Sequence, residues 1–384
     1  MRSPHAILLS LAALGAQAMD AGLSFEELCM KNGYMTEQYQ VITEDDYILS
    51  LYRIPGKFTE ARDERNSPKP AVLFVHALDA NMMEYVLNDA DKANAFILVN
   101  EGYDVWLGNN RGSQYSHGHL TLSTDSRDYW DYWTADLGLK DVPTFIDHIL
   151  ETTGLPNLSY IGHSQGTTQF FLGASMNPSY FKEKVNLFVA LAPVGSTAHI
   201  PYPELKWASK HVKEIELAVV DGLHQYNWFP QAHQASMALD SICGLPVIAK
   251  FCELFVDLFV DEKIDNVRRL EVGLPVFPSG QTWRTFVYYA QAIRTGNWTL
   301  YDYGPIKNKQ VYGQKDAPPV PIQDYDVPTV LLSGDKDKLA TPEDVAWLSE
   351  QLGDKVVFQK QYHLNHVGFV LANDMSFFSV DAVA

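Results

Sequence analysis

Five consecutive residues, Gly162-His163-Ser164-Gln165-Gly166, match the pattern G-x-S-x-G. A short apolar run typical of a buried strand precedes them, and an apolar run typical of a helix follows them. In that context the pattern predicts a sharp strand-to-helix turn that lifts the serine clear of the sheet. Ser164 is therefore the candidate nucleophile. We interpret His163 as a structural residue of the turn.

A serine hydroxyl needs a base that takes its proton and an acid that orients the base. In chains with this turn, the acid and then the histidine follow the serine. His363 and His366 both follow the last apolar run, and position alone does not choose between them. Three aspartates that follow the apolar run at residues 329–333 are candidates for the acid: Asp335, Asp337 and Asp344. Asp344 also fits the first turn of a helix, where it would offset the helix dipole.

A tetrahedral intermediate needs two backbone N–H groups that stabilise its oxyanion. One belongs to the residue after the nucleophile, which is Gln165. The other comes from the loop after an early strand, where residues 71–75 are followed by His76-Ala77-Leu78. We therefore predict that the backbone N–H groups of Gln165 and Leu78 form the oxyanion hole.

The elements that must position these residues are short apolar runs that alternate with helical patterns. A hairpin is predicted over residues 41–54 and a helix over residues 135–151. Strands are predicted at residues 71–75, 103–107, 158–161, 187–191, 329–333 and 356–359. This alternation predicts an α/β fold with a mostly parallel central sheet and helices on both faces.

The pattern changes between residues 197 and 320, which contain no apolar run typical of a buried strand and are rich in Trp, Tyr, Phe and Pro. Within them, residues 248–262 follow a helical period. We consider two interpretations, a helix packed on its own domain and a helical cap whose apolar surface opens toward lipid. The core would then consist of residues 19–196 and 321–384.

The chain of 384 residues carries a net charge of −18. This charge argues against a nucleic-acid partner and against electrostatic docking on anionic lipid. It does not argue against contact with neutral lipid.

The N-terminus predicts a signal peptide that comprises residues 1–18. An apolar run at residues 6–14 is followed by the small-x-small cleavage pattern Ala16-Gln17-Ala18. The run is too short to span a bilayer, and no later run is long and apolar enough to be a transmembrane helix. We therefore expect a product of the secretory pathway, either extracellular or in the lysosomal lumen.

The three cysteines fit an oxidising compartment. Cys243 and Cys252 lie nine residues apart and Cys29 stands alone, which predicts one disulfide, Cys243–Cys252. Asn157 and Asn297 begin glycosylation sequons. Asn297 is the better candidate because Asn157 lies directly before a predicted core strand.

These motifs closely resemble those of the acid lipases, the α/β-hydrolase family that includes the gastric and lysosomal lipases. The matching segments are residues 102–112 (GYDVWLGNNRG), 162–168 (GHSQGTT), 191–194 (LAPV), 302–304 (DYG), 333–337 (SGDKD) and 365–369 (NHVGF). The resemblance implies an α/β-hydrolase fold with an inserted cap. It also implies the catalytic triad Ser164, Asp337 and His366, and a cap disulfide with the spacing of Cys243 and Cys252.

The resemblance further implies hydrolysis of neutral lipid esters, triacylglycerol or cholesteryl ester, through an acyl-enzyme and without a metal or cofactor. This chain departs from the family at Ala77, where a glycine is usual, and at Gly368, where an acid is usual. Because glycine permits backbone conformations that alanine resists, Ala77 predicts an altered oxyanion hole or a narrower acyl pocket. The alternative hypotheses are a catalytically weak or inactive lipid-binding or storage protein, and an amidase or acyltransferase.

Overall fold

The structure is a computed structural model, and it describes residues 20–60, 68–228, 259–273 and 275–382. The predicted signal peptide, residues 1–18, lies outside the described residues. The predicted Cys243–Cys252 disulfide and most of the helical period at residues 248–262 also lie outside them. Cys29 is a free, buried thiol.

The centre of the described chain is a nine-stranded sheet. In chain order the strands are β1 (Glu37–Ile42), β2 (Tyr47–Ile54), β3 (Ala71–Val75), β4 (Asp104–Gly108), β5 (Gly118–His119), β6 (Leu158–His163), β7 (Val185–Leu191), β8 (Asn227–Trp228), β9 (Gln281–Thr282), β10 (Thr329–Gly334) and β11 (Val356–Tyr362). Among the described strands, β8 pairs with β9, and the rest form the central sheet. The predicted hairpin and all six predicted strands are confirmed, with ends that differ by up to four residues.

The sheet runs in the order β1-β2-β4-β3-β6-β7-β10-β11, with β5 beside β2. Every neighbouring pair from β4 to β11 is parallel, whereas β1, β2 and β4 pair antiparallel. The carboxyl ends of β3, β6 and β10 therefore meet at one edge of the sheet, which is where parallel sheets of this kind hold their sites.

Helices cover both faces of the sheet. The α-helices are α1 (Phe25–Lys31), α2 (Asn94–Asn100), α3 (Thr134–Asp136), α4 (Val142–Thr153), α5 (Gln165–Met176), α6 (Pro178–Lys184), α7 (Pro203–Lys210), α8 (Val212–Glu216), α9 (Leu270–Gly273), α10 (Trp283–Thr295), α11 (Pro305–Tyr312), α12 (Pro342–Leu352) and α13 (Gly368–Leu371). Alternate residues of β3 enter two separate apolar cores, with Leu73 and Val75 in one and Val72 and Phe74 in the other. This burial on both faces is why β3 is uniformly apolar.

The helix predicted over residues 135–151 differs from the observed one. A π-helical turn, Leu137–Asp141, separates α3 from α4. At this turn the backbone of Gly138 meets that of α5, and an added Cβ at Gly138 would lie 2.0 Å from the Gln169 carbonyl oxygen. Apolar spacing does not reveal such a turn, because both flanking segments keep the same buried face.

In the described part of residues 197–320, no residue joins the central sheet. That part contains helices α7 to α11 and the ribbon of β8 and β9. This agrees with a helical insertion, while its boundaries stay a prediction. Among the described helices, none combines the length and the apolar character needed to cross a bilayer.

Candidate active site

Ser164 lies at the turn between β6 and α5. Its backbone has φ 52° and ψ −114°, a conformation that non-glycine residues rarely adopt. The turn is closed so tightly that an added Cβ on Gly162 would lie 2.6 Å from the Gly166 backbone. An added Cβ on Gly166 would lie 2.1 Å from the Val75 carbonyl oxygen. Close packing therefore requires glycine at both positions of the motif. Ser164 lies at the N-terminus of α5.

The side chains of Ser164, His366 and Asp337 form one hydrogen-bonded chain. The Ser164 hydroxyl lies 2.8 Å from His366 Nε2 and can donate its proton to it. His366 Nδ1 lies 3.0 and 2.9 Å from the two carboxylate oxygens of Asp337. All three residues are buried. This is the arrangement of nucleophile, base and orienting acid.

Asp337 is held in place by the loop that follows β10. Its Oδ1 accepts hydrogen bonds from the backbone N–H groups of Leu339 and Ala340, at 2.9 and 2.8 Å. These bonds orient the carboxylate toward His366. The structure thus brings Asp337 and His366 to Ser164.

The other candidates for acid and base lie elsewhere. His363 Nδ1 lies 3.0 Å from Asp335 Oδ2 in an exposed pair. Asp344 lies in the first turn of α12, as the helix-start pattern predicted, and accepts hydrogen bonds from the backbone N–H groups of Ala198 and His199.

The loop after β3 contains the predicted oxyanion donor Leu78. Among the described residues, none accepts a hydrogen bond from the backbone N–H of Leu78 or of Gln165. Ala77 lies outside the left-handed region, whereas Asp79 has φ 59°. Because the backbone at position 77 does not require glycine, replacing the family's usual glycine with alanine introduces no backbone strain.

His76 fixes the peptide group between Ala77 and Leu78. The backbone N–H of Asn110 donates to His76 Nε2 at 3.1 Å, so the ring proton sits on Nδ1. Nδ1 then donates to the Ala77 carbonyl oxygen at 2.8 Å. Since a trans peptide is planar, holding this carbonyl also fixes the direction of the Leu78 N–H. The sequence analysis placed His76 in this loop but assigned no role to it.

Residues 276–280 are hydrogen-bonded to this loop. The Asp79 carboxylate accepts from the Gly280 N–H, and the Asp79 carbonyl accepts from the Ser279 N–H, both at 2.7 Å. The Asn81 side-chain amide donates to the Val276 carbonyl at 2.7 Å. Residues 76–81, which we call the oxyanion loop because they contain the predicted donor Leu78, are thus joined to a segment about 200 residues further along the chain. Sequence patterns gave no signal for this contact.

Comparison with known proteins identifies the family. A family model described as alpha/beta hydrolase fold matches residues 70–368, and one described as a partial alpha/beta-hydrolase lipase region matches residues 25–89. Lipase member K of Homo sapiens is 33% identical over 360 residues, which cover 92% of this chain and 88% of that protein. The chain belongs to the acid lipase family of α/β hydrolases. The resemblance found in the sequence is therefore confirmed.

Further relatives of this acid lipase family member cover similar lengths. Gastric triacylglycerol lipase of Mus musculus is 32% identical, covering 94% of this chain and 90% of that protein. Lipase lipl-1 of Caenorhabditis elegans is 33% identical, covering 96% and 94%. A solved structure from Sulfolobus solfataricus shares the fold, with a TM-score of 0.57, 13% identity and 95% coverage of both chains.

The described part of this family member holds no group of three or more His, Cys, Asp or Glu side chains placed to bind a metal ion.

Proposed function

We propose that this chain hydrolyses carboxylic esters through an acyl-enzyme on Ser164. The observation that carries the proposal is the hydrogen-bonded chain from Ser164 through His366 to Asp337, with 2.8 Å between Ser164 Oγ and His366 Nε2. In the first step, Ser164 attacks the ester carbonyl while His366 takes its proton. Asp337 holds the required tautomer and stabilises the imidazolium.

The backbone N–H groups of Leu78 and Gln165 stabilise the oxyanion that forms. Each such donor contributes about 2.7–4 kcal/mol to the transition state in comparable enzymes. His366 then gives its proton to the leaving alcohol. Water activated by His366 attacks the acyl-enzyme and releases the acid. This reaction uses no metal or cofactor.

The substrates that we propose are neutral lipid esters, triacylglycerol or cholesteryl ester. The similarity to gastric triacylglycerol lipase supports this class. Three large apolar side chains in the region of α7 and α8 are strongly exposed: Trp207 (59%), Leu217 (64%) and Leu223 (74%). Such side chains suit contact with a lipid droplet or emulsion surface, which we propose as the partner of a cap formed by residues 197–320.

The chain is proposed to act in the secretory pathway, outside the cell or in the lysosomal lumen. The similarity to gastric lipases and the predicted signal peptide support this. Asn297 is exposed and Asn157 half-buried, which favours Asn297 as the glycosylation site. The Cys243–Cys252 disulfide remains part of the proposal.

The test combines hydrolysis with active-site labelling. A serine-directed phosphonate should label the folded wild-type protein at Ser164, and the protein should release fatty acid from a long-chain ester. Ser164→Ala should abolish both. A folded wild-type protein that neither labels nor hydrolyses esters would support the lipid-binding alternative and overturn the proposal.

A further inference from the structure

We propose that Glu84 is a positioning residue, which together with His163 locks the oxyanion loop to the nucleophile turn and to the catalytic-histidine loop. The inference rests on the proposed ester hydrolysis. Glu84 lies in a short helical turn, Met82–Tyr85, directly after the oxyanion loop. It touches neither the serine nor the predicted oxyanion position, so it acts through other residues.

Glu84 is a buried carboxylate that contacts two parts of the site. Its Oε1 accepts a hydrogen bond from the Ala77 N–H at 3.0 Å. Its Oε2 lies 3.5 Å from His163 Nδ1. No lysine or arginine in the described part of the chain forms an ion pair with it. A buried carboxylate without a cation would be costly, so its contacts with Ala77 and His163 are what hold it there.

His163 extends the link to the third segment of the site. It is the residue directly before Ser164, and its ring is buried. Its Nε2 lies 3.0 Å from the backbone carbonyl oxygen of His366. The side chains of Glu84 and His163 therefore connect the Ala77 N–H, the strand that precedes Ser164 and the backbone of His366.

The His163 ring faces the Glu84 carboxylate with its Nδ1 atom. Its Nε2–H donates to a carbonyl, so Nδ1 is the ring nitrogen across the 3.5 Å contact. A proton on Nδ1 makes the ring an imidazolium opposite the carboxylate. Loss of that proton would leave a carboxylate against a ring lone pair, which is repulsive.

Burial lowers the pKa of His163, but the charge and hydrogen bond of Glu84, the His366 carbonyl and the charge of Asp337 raise it overall above its usual value. Besides Asp337, the titratable groups near these two side chains are His76 and Tyr85, beside Glu84, and His366, whose ring centroid lies 5.3 Å from that of His163. His163 therefore keeps its proton to higher pH than an isolated histidine would.

Glu84 controls the Leu78 N–H through Ala77. Glu84 holds the N–H of Ala77, while His76 Nδ1 and the Ala80 N–H hold its carbonyl, at 2.8 and 3.2 Å. Both polar groups of Ala77 are thus fixed. The peptide that follows presents the Leu78 N–H in the opposite direction to that carbonyl. A preorganised hydrogen-bond donor stabilises the oxyanion charge, which develops only in the transition state. Its loss should therefore lower kcat more than it changes KM.

The experiment compares Glu84→Ala and Glu84→Gln with the wild-type protein, and uses Glu101→Ala as a matched control at an exposed position. A soluble short-chain p-nitrophenyl ester gives kcat and KM from pH 5 to 10. We expect Glu84→Ala to lower kcat by about 10- to 1,000-fold, up to the loss of a whole oxyanion donor, with KM within about threefold. Glu101→Ala should match wild type.

Glu84→Gln should rescue the activity. Its amide oxygen can accept from Ala77, and its NH₂ group can donate to a neutral His163 Nδ1, so both contacts persist. Loss of the proton from His163 should make wild-type kcat fall at alkaline pH. Because Glu84→Gln has no carboxylate opposite Nδ1, we expect this fall to move to higher pH or vanish. A purely structural role would leave this alkaline limb unchanged.

Two results would overturn the inference while the proposed function stands. One is a folded Glu84→Ala protein, judged by circular dichroism, that keeps wild-type kcat. The other is an alkaline limb shared by wild type and Glu84→Gln, which decides the matter even if Glu84→Ala does not fold. Failure of the proposed function would instead show as a wild-type protein that neither hydrolyses the ester nor labels with phosphonate.

Discussion

His363 pairs with Asp335 on the surface, 3.0 Å apart, a few residues from the buried pair of His366 and Asp337. These two histidine–aspartate pairs have similar spacing and very different surroundings. Only the buried pair is hydrogen-bonded to Ser164. The exposed pair supplies a natural control for the buried one.

Asp337→Asn should lower kcat by about 10⁴-fold, because the asparagine favours the wrong tautomer of His366. Asp335→Asn makes the same chemical change in the exposed pair and should leave kcat within about twofold, since surface ion pairs contribute little. Steady-state hydrolysis of a soluble ester by both variants checks this. Equal losses in the two variants would contradict the assignment of the acid.

Ala77→Gly restores the residue that is usual in the family. Since Ala77 does not occupy the left-handed region, glycine brings no relief of strain and only adds freedom to the unfolded chain. We expect the free energy of unfolding to fall by about 0.4–1 kcal/mol with kcat within about twofold. Urea unfolding and ester kinetics measure both. A large gain in kcat would show that alanine distorts the oxyanion hole.

Asp79→Ala removes the acceptor of the buried Gly280 N–H. Leaving this donor unpaired should lower the free energy of unfolding by about 1–3 kcal/mol. Asp79→Asn keeps an oxygen at the same place and tolerates the positive φ of residue 79, so it should lose much less. Thermal unfolding at pH 5 compares the two. Identical losses would mean that the hydrogen bond contributes nothing.

Asp265 should make stability depend on pH. Burial raises its pKa to about 7, although the Asp261 N–H and the Asn365 amide both donate to it. A folded-state pKa above the unfolded value means that the folded protein binds the proton more tightly. The stabilisation is therefore complete below about pH 4 and is lost as the pH rises to about 7. The difference between the folded and unfolded pKa values of Asp265 corresponds to about 4 kcal/mol of stabilisation.

Asp265→Asn tests this sign. Both donors contact the same carboxylate oxygen, and the other oxygen has no hydrogen-bond partner. An amide therefore keeps the two bonds and removes the charge. Urea unfolding should give similar stabilities for wild type and variant at pH 4 and a more stable variant at pH 8. A difference that stays constant with pH would refute the prediction.

The sequence predicted the serine turn and the strands well because both depend on local patterns. The glycines of the turn follow from close backbone packing, and the uniformly apolar β3 follows from burial on both faces. Choosing Asp337 over Asp335 required the family resemblance, because the two residues occupy the same loop. Only the fold shows which of them faces His366.

Glu84 was missed for a physical reason. It contacts Ala77, seven residues away, and His163, 79 residues away. An acidic residue in a short turn usually faces solvent, and no periodic pattern marks it as buried. The same holds for the contact between Asp79 and Gly280, which depends on how a distant segment folds back onto the loop.

The hydrogen bonds between the oxyanion loop and residues 276–280 bear on how this protein can be engineered. An exchange of the whole insertion at residues 197–320 for that of a relative would remove the supports of the oxyanion loop. We expect chimaeras joined before Val276 to stay active, although the part of the insertion that precedes Val276 comes from the relative. Substrate selectivity could then be changed without altering the residues that take part in the reaction.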